Sequence, residues 1–369
     1  MKRLTWKDLL KIAAFAAGVI IIIALLDIPF RGGYWYLKGY VADRDSRIAG
    51  IQEEPAGQID VLNVGDSLAD NAITPVEMYR DYGITSYVMG RDLQKCIETY
   101  YAIKLALRNQ NIKVVLWEVH NLCKGQKDYE RYMVGISEYA KYRSQFIKYH
   151  YVWKRLMEGK GVRKYFKGYV VNEVTVPYEK KVPYLNLEVT DAFDPPSDQM
   201  RVFQKIYDLC RKEGIQLILY AVPSPHCYNM SMHNGYVRLA QKYDLPFLDG
   251  NIDYEKIGID FAKDYSDDDG DHLNLFGVRK MTKYLAEYLV RECGLEDHRN
   301  DPAYKSWSDI LPAYEQEVLD MEGTSYPKME REKEERWEEL HKGEDLGGSR
   351  DRKEARNGKE NKGRNKRKQ

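Results

Sequence analysis

The chain has 369 residues, 57 Lys and Arg against 57 Asp and Glu, a formal net charge of zero and 43% hydrophobic residues. That apolar fraction sustains a core and excludes a wholly disordered protein; the length suits one large α/β domain with additions, or two domains at most. Residues 350–369 hold ten Lys/Arg and three Asp/Glu, so this tail carries +7 and the first 349 residues sum to −7, a balance that argues against a nucleic-acid-binding domain.

Lys2, Arg3, Lys7 and Lys11 precede an unbroken apolar run, Ile12 to Leu26, closed by Asp27 and Pro29. The run alone is short of the ~20 residues that span hydrocarbon. Leu9, Leu10, Ile28 and Phe30 extend it to that length if Lys11 snorkels and Asp27 sits at the far interface. The positive flank comes first, so the N-terminus is expected to stay cytoplasmic and the rest to be exported. The segment LLDIPFRGG offers no small-residue cleavage site. Residues 1–30 therefore read as a cytoplasmic N-terminus and an uncleaved signal anchor.

Residues 31–58 read as a linker. Asp60–Val64 is a short apolar strand, 92–109 has helical periodicity, and Lys113–Val119 is a buried-type strand. Residues 124–198 form a Tyr- and Lys-rich insertion. Met200–Glu213 reads as a helix stopped by Gly214, and Gln216–Val222 as a strand stopped by Pro223. Asn234–Tyr243 is helical, Pro246–Asp249 is a fourth strand, and Leu275–Cys293 is the final amphipathic helix. Strands alternating with helices imply a mostly parallel sheet covered on both faces, with ligands bound beyond the strands' C-terminal ends. This α/β domain spans 59–300, followed by an extension at 301–324. Residues 325–369 are charged and are expected to form a largely disordered tail.

The first strand runs into Gly65-Asp66-Ser67-Leu68, which places a hydroxyl at the binding edge of the sheet. A serine needs a base to act as a nucleophile. His272, in Asp267-Asp268-Asp269-Gly270-Asp271-His272-Leu273-Asn274, stands just before the last helix, where a loop can carry imidazole to Ser67. Asp269 can fold back in a turn and fix the ring tautomer. The Asp run is not an EF-hand loop, because Tyr265 and Phe276 stand where that pattern needs Asp and Glu. Five scattered cysteines without a C-x-x-C pair give neither a zinc pattern nor a disulfide framework. No metal or cofactor is expected, since no G-x-G-x-x-G or Walker pattern follows a strand.

In this order the motifs resemble the SGNH/GDSL hydrolase superfamily: Gly65-Asp66-Ser67-Leu68 matches its first block and Asp269-Gly270-Asp271-His272 its last. The resemblance implies a flavodoxin-like three-layer α/β/α sandwich with a mostly parallel sheet, preceded here by one transmembrane helix. It makes Ser67 the nucleophile, with His272 and Asp269 completing a triad. Its oxyanion hole combines the Ser67 amide, a second-block glycine, here Gly90 in Ser86–Gly90, and a third-block asparagine. The third block, Gly-x-Asn-Asp, is absent. Glu118-Val119-His120-Asn121 stands at the end of the second strand instead. Asn121 is the candidate amide donor or else a turn residue. Glu118 and His120 are candidate substrate contacts, Glu118 alternatively a structural acceptor.

His226 and His233 follow the third strand and are candidate substrate contacts or loop and cap residues. Nothing near Cys227 marks it as a catalytic thiol. Tyr interleaved with Lys and Arg over 129–184 suits either stacking on an acylated glycan or a cap packed on the sheet. The anchored layout is similar to accessory acyltransferases of bacterial cell-surface polysaccharides, including alginate acetylation and teichoic-acid D-alanylation proteins. That likeness implies a membrane-bound O-acyltransferase partner. The expected function is a membrane-anchored, extracytoplasmic serine esterase or O-acyltransferase acting on acyl esters of a cell-surface polysaccharide. The alternative is a non-catalytic glycan-binding or scaffold protein on the same fold.

Overall fold

The computed structural model describes residues 5–30, 43–158, 165–172 and 174–321. The first helix opens on a capping box: Thr5 Oγ1 accepts from the Asp8 N–H at 3.3 Å, and the Asp8 carboxylate accepts from the Thr5 N–H at 3.0 Å. Helix α1 (Trp6–Asp27) follows, with a 3-10 turn at Ile28–Phe30. Its length of about 33 Å, at ~1.5 Å per residue, matches the ~30 Å of a bilayer's hydrocarbon core. No residue of α1 is buried against the protein, and it is long and apolar enough to cross a membrane. The expected linker falls partly, and the expected tail at 325–369 wholly, outside the described residues.

After α2 (Asp43–Gly50) the chain builds β1 (Val61–Val64), the single turn α3 (Ser67–Asp70), α4 (Pro75–Tyr82), β2 (Ser86–Val88), α5 (Cys96–Ala106) and β3 (Val114–Glu118). The insertion folds as α6 (Asp128–Arg143), α7 (Gln145–Tyr149) and α8 (Val152–Glu158). Then come α9 (Ser197–Glu213), β4 (Gln216–Ala221), α10 (Met230–Tyr243), β5 (Phe247–Asp249), α11 (Tyr254–Ile257), α12 (Leu275–Glu292) and α13 (Lys305–Met321).

All pairings in the five-stranded sheet are parallel, in the order β2-β1-β3-β4-β5. This is the flavodoxin-like order, whose switch point lies between β1 and β3. Val61 pairs with Val114, which pairs in turn with Gln216. Side chains alternate between two apolar layers. Leu62, Val64, Val115, Trp117, Leu217 and Leu219 pack against α5, α9 and α10. Val61, Val114, Leu116 and Ile218 pack against α4, α12 and α13. Both faces are covered, as a parallel sheet requires.

The structure extends the sequence reading twice. Ser86–Val88 is a fifth strand, three residues long at the sheet edge and too short to show a period. The extension after residue 300 forms α13, a helix despite Pro312, and buries Trp307, Tyr314 and Val318. The Trp307 ring lies 5.4 Å from that of Tyr79 in α4, and Lys167 Nζ sits over it at 4.5 Å. Trp307→Ala is therefore expected to destabilise the fold by about 3–5 kcal/mol, read as a shift in denaturant midpoint at unchanged m-value.

Candidate active site

Because the strands are parallel, the segments after β1, β2, β3 and β4 all leave the sheet at one edge. Gly65 has φ 151°, and a Cβ there would stand 2.7 Å from Ala69 Cβ and 2.9 Å from Glu118 Cβ. Only glycine fits this turn. Asp66 caps the turn, its Oδ1 accepting from the Leu68 N–H at 3.1 Å. Asn63, inside the sheet, donates to the Ala69 carbonyl at 2.7 Å and accepts from Tyr220 Oη at 2.6 Å. These bonds hold the half-buried Ser67 at the start of α3. A Cβ on Gly90 would lie 2.8 Å from both Asp66 O and Asp70 N, so the Gly90 backbone is pressed against the Ser67 turn. Arg47 of α2 ties the two together, pairing with Asp70 and donating to the Gly90 carbonyl at 3.3 Å. Burial still pushes the Asp70 carboxyl up to about 6, against the pull of Arg47.

A buried polar chain lies behind the turn. Asp66 Oδ2 meets His120 Nδ1 at 2.7 Å, and the Glu118 carboxylate accepts from the His120 N–H at 3.0 Å. Burial opposes charge on His120, but its bonds to Asp66, Cys123 and Cys227 prevail and raise its pKa. Burial, then the Asp66 charge, pushes Glu118 up to about 8. Asp66, His120 and Glu118 thus form one hydrogen-bonded unit.

The loop that carries His272 is fastened to the same edge. Tyr265 and Leu273 bridge its ends, and the Ser266 N–H donates to the His272 carbonyl at 3.0 Å. Beyond β4, the Cys227 thiol donates to Asp271 Oδ1 at 2.9 Å. His272 Nδ1 lies 3.2 Å from Asp271 Oδ2 and 3.8 Å from Asp267 Oδ2, which leaves Nε2 on the other side of the ring. Burial opposes its charge, but Asp267 and Asp271 prevail and raise the pKa. Asp66 raises it further, and His272 lowers the pKa of Asp70. The ring therefore lies within electrostatic reach of both ends of the Ser67 turn.

Two expectations are corrected. Asp269 is half exposed and pairs with Lys180 of the insertion; the carboxylates beside His272 are Asp271 and Asp267. Asp267 accepts from the backbone N–H groups of Asp271 and His272 at 2.8 and 2.9 Å, which fixes the loop turn and leaves Asp269 pointing outward. The Asn121 amide is engaged in the core, its Oδ1 accepting from Trp117 Nε1 at 3.0 Å and its Nδ2 donating to Thr99 Oγ1 at 3.1 Å. It closes β3 as a turn residue and is not placed as an oxyanion donor. His226 is half exposed, with Nδ1 4.0 Å from Asp269 Oδ2. His233 pairs with Asp249 at 2.7 Å. The Cys227 thiol is pushed up by burial, as suits a structural thiol. Sequence reasoning passed over Asp66, Asp267, Asp271 and Asn63 as site residues. The adjacency of Asp66 to Ser67 and of Asp271 to His272 was the available signal.

No protein-family model matches the chain, and no curated protein does. Among solved structures, one similar chain is a "putative acylhydrolase" from Bacteroides fragilis. It is 12% identical, covers 68% of this chain and 97% of its own, and aligns with a TM-score of 0.36. A likeness of this order is silent on chemistry.

Proposed function

We propose that the protein is a membrane-tethered serine esterase or O-acyltransferase of the SGNH type, acting on acyl esters of a cell-surface polysaccharide. One observation carries the reading. The Ser67 turn, the Gly90 backbone pressed against it and the carboxylate-backed imidazole of His272 occupy one sheet edge.

In this mechanism Ser67 Oγ attacks the ester carbonyl carbon, and its proton passes to His272 Nε2. The Ser67 and Gly90 amides receive the oxyanion. His120, held behind the turn by its hydrogen bond to Asp66, adds positive potential there when protonated. Collapse breaks the bond to the alcohol, which leaves with the proton from His272. Water, or a sugar hydroxyl, then gives its proton to His272 as it attacks the acyl-Ser67 carbonyl, and the acyl group departs with Ser67 restored. Helix α1 supports tethering, with a membrane-bound O-acyltransferase as donor when the reaction is transfer.

A fluorophosphonate probe tests this directly. The expected result is one covalent adduct, mapped to Ser67 by peptide mass spectrometry. Folded protein that stays unlabelled would sink the enzyme reading. It would favour a non-catalytic glycan-binding module, to which the inward-turned Asn121 also lends support.

A further inference from the structure

Helix α6 is amphipathic in the reverse of the usual sense. At 100° per residue, Tyr129, Tyr132, Met133, Ile136 and Tyr139 fall within an arc of about 120°. They are 77, 63, 48, 63 and 54% exposed. The side that packs on α5 mixes charged groups with rings, Tyr139 and Tyr142 lying 6.4 and 5.6 Å from Tyr101. There Glu138 is buried 3.8 Å from Arg91 and accepts from Lys141 at 2.8 Å, and Tyr142 lies under Arg108 at 4.0 Å. A helix in water turns its apolar stripe to the core; α6 turns it away. An exposed stripe of this extent marks a contact surface.

The position of α6 identifies what it contacts. Asp27, at the end of α1, accepts from Ser144 Oγ at 2.6 Å and from the Phe146 N–H at 2.8 Å. The rings of Phe30 and Phe146 meet at 5.7 Å, edge to face. Phe30 also packs on Ala49, Tyr149 and Val152. Ser144 is the residue joining α6 to α7. The C-terminal end of the stripe is therefore fastened where α1 would leave the bilayer. Tyrosine, three of the five residues in the stripe, is one of the side chains enriched at the membrane–water interface. Exposed Arg143, in the last turn of α6, falls within the arc of the stripe, where it suits anionic headgroups.

We infer that α6 lies on the lipid surface of the membrane that α1 crosses, its Tyr129–Tyr139 stripe set among the headgroups. This surface contact would hold the Ser67 edge at a fixed height above the bilayer. The inference rests on the reading of α1 as a membrane anchor.

The full-length protein, carrying the photo-crosslinker p-benzoylphenylalanine at Phe15, Tyr132, Ile136 or Lys283, would be reconstituted into vesicles of phosphatidylcholine and phosphatidylglycerol. Lys283 is exposed on α12, on the sheet face opposite α5. Irradiation should yield lipid adducts at Phe15, Tyr132 and Ile136, at least tenfold above Lys283. Adducts at Phe15 with Tyr132 and Ile136 at the Lys283 level would overturn the inference and leave the anchor standing. Absence of adducts at Phe15 as well would overturn both. In native membranes, capture of a protein rather than lipid at Ile136 would also overturn it, making the stripe a protein interface.

Discussion

Ser67→Ala is expected to abolish fluorophosphonate labelling and to lower the hydrolysis of a simple aryl ester by roughly 10³–10⁶, with stability changed by less than about 0.5 kcal/mol. The separation of the two effects follows from the local geometry. Ser67 holds its turn through its backbone carbonyl, which accepts from the Asn71 side chain at 3.0 Å, and Asp66 supplies the cap. Alanine keeps both and removes only the hydroxyl. Unchanged turnover in a folded Ala variant would remove this serine from the chemistry.

The second large effect separates the carboxylates. The double variant Asp267→Asn/Asp271→Asn is expected to lose roughly 10²–10⁴ in kcat/KM, the scale of losing the group that orients the imidazole. Asp269→Asn, an exposed partner of Lys180, is expected to stay within about threefold. The pH profile supplies an independent readout. His272 works as a base only when neutral. Its pKa is raised above 6.5 by Asp267 and Asp271 in spite of burial. The rate should therefore rise with pH along a limb centred above 6.5. Removing either carboxylate charge weakens the hold on the proton, so the limb should move to lower pH. A limb that does not move, or an Asp269→Asn variant as damaged as the double variant, would return the orienting role to Asp269.

The class of fold was readable because buried parallel strands announce themselves locally. Val114–Glu118 and Gln216–Ala221 are near-continuous apolar runs bounded by turns, and such runs mean burial on both faces wherever they lie in the chain. Strand Ser86–Val88 and helix Lys305–Met321 carry no comparable local signature. The first is three residues at an edge; the second contains a proline and is justified by the pocket that Trp307 fills beside Tyr79. Gly65 and Ser67 were visible for a related reason: a strand that must turn sharply at its end leaves glycine and a polar residue in the sequence.

The sequence by itself therefore determined what depends on neighbours along the chain: a parallel sheet, the apolar helix at its head, a serine at a strand end and a histidine just before an amphipathic helix. Only the tertiary structure decided which of the four acidic residues before His272 faces its ring. That depends on the backbone turn closed by Asp267 and on a lysine 89 residues earlier that draws Asp269 outward. It likewise turned Asn121 into the core, because α5 places Thr99 beside it, and left His120 against Asp66. Hydrogen-bond partners are chosen by distances of a few tenths of an ångström between segments far apart in sequence, and residue order alone carries no record of those distances.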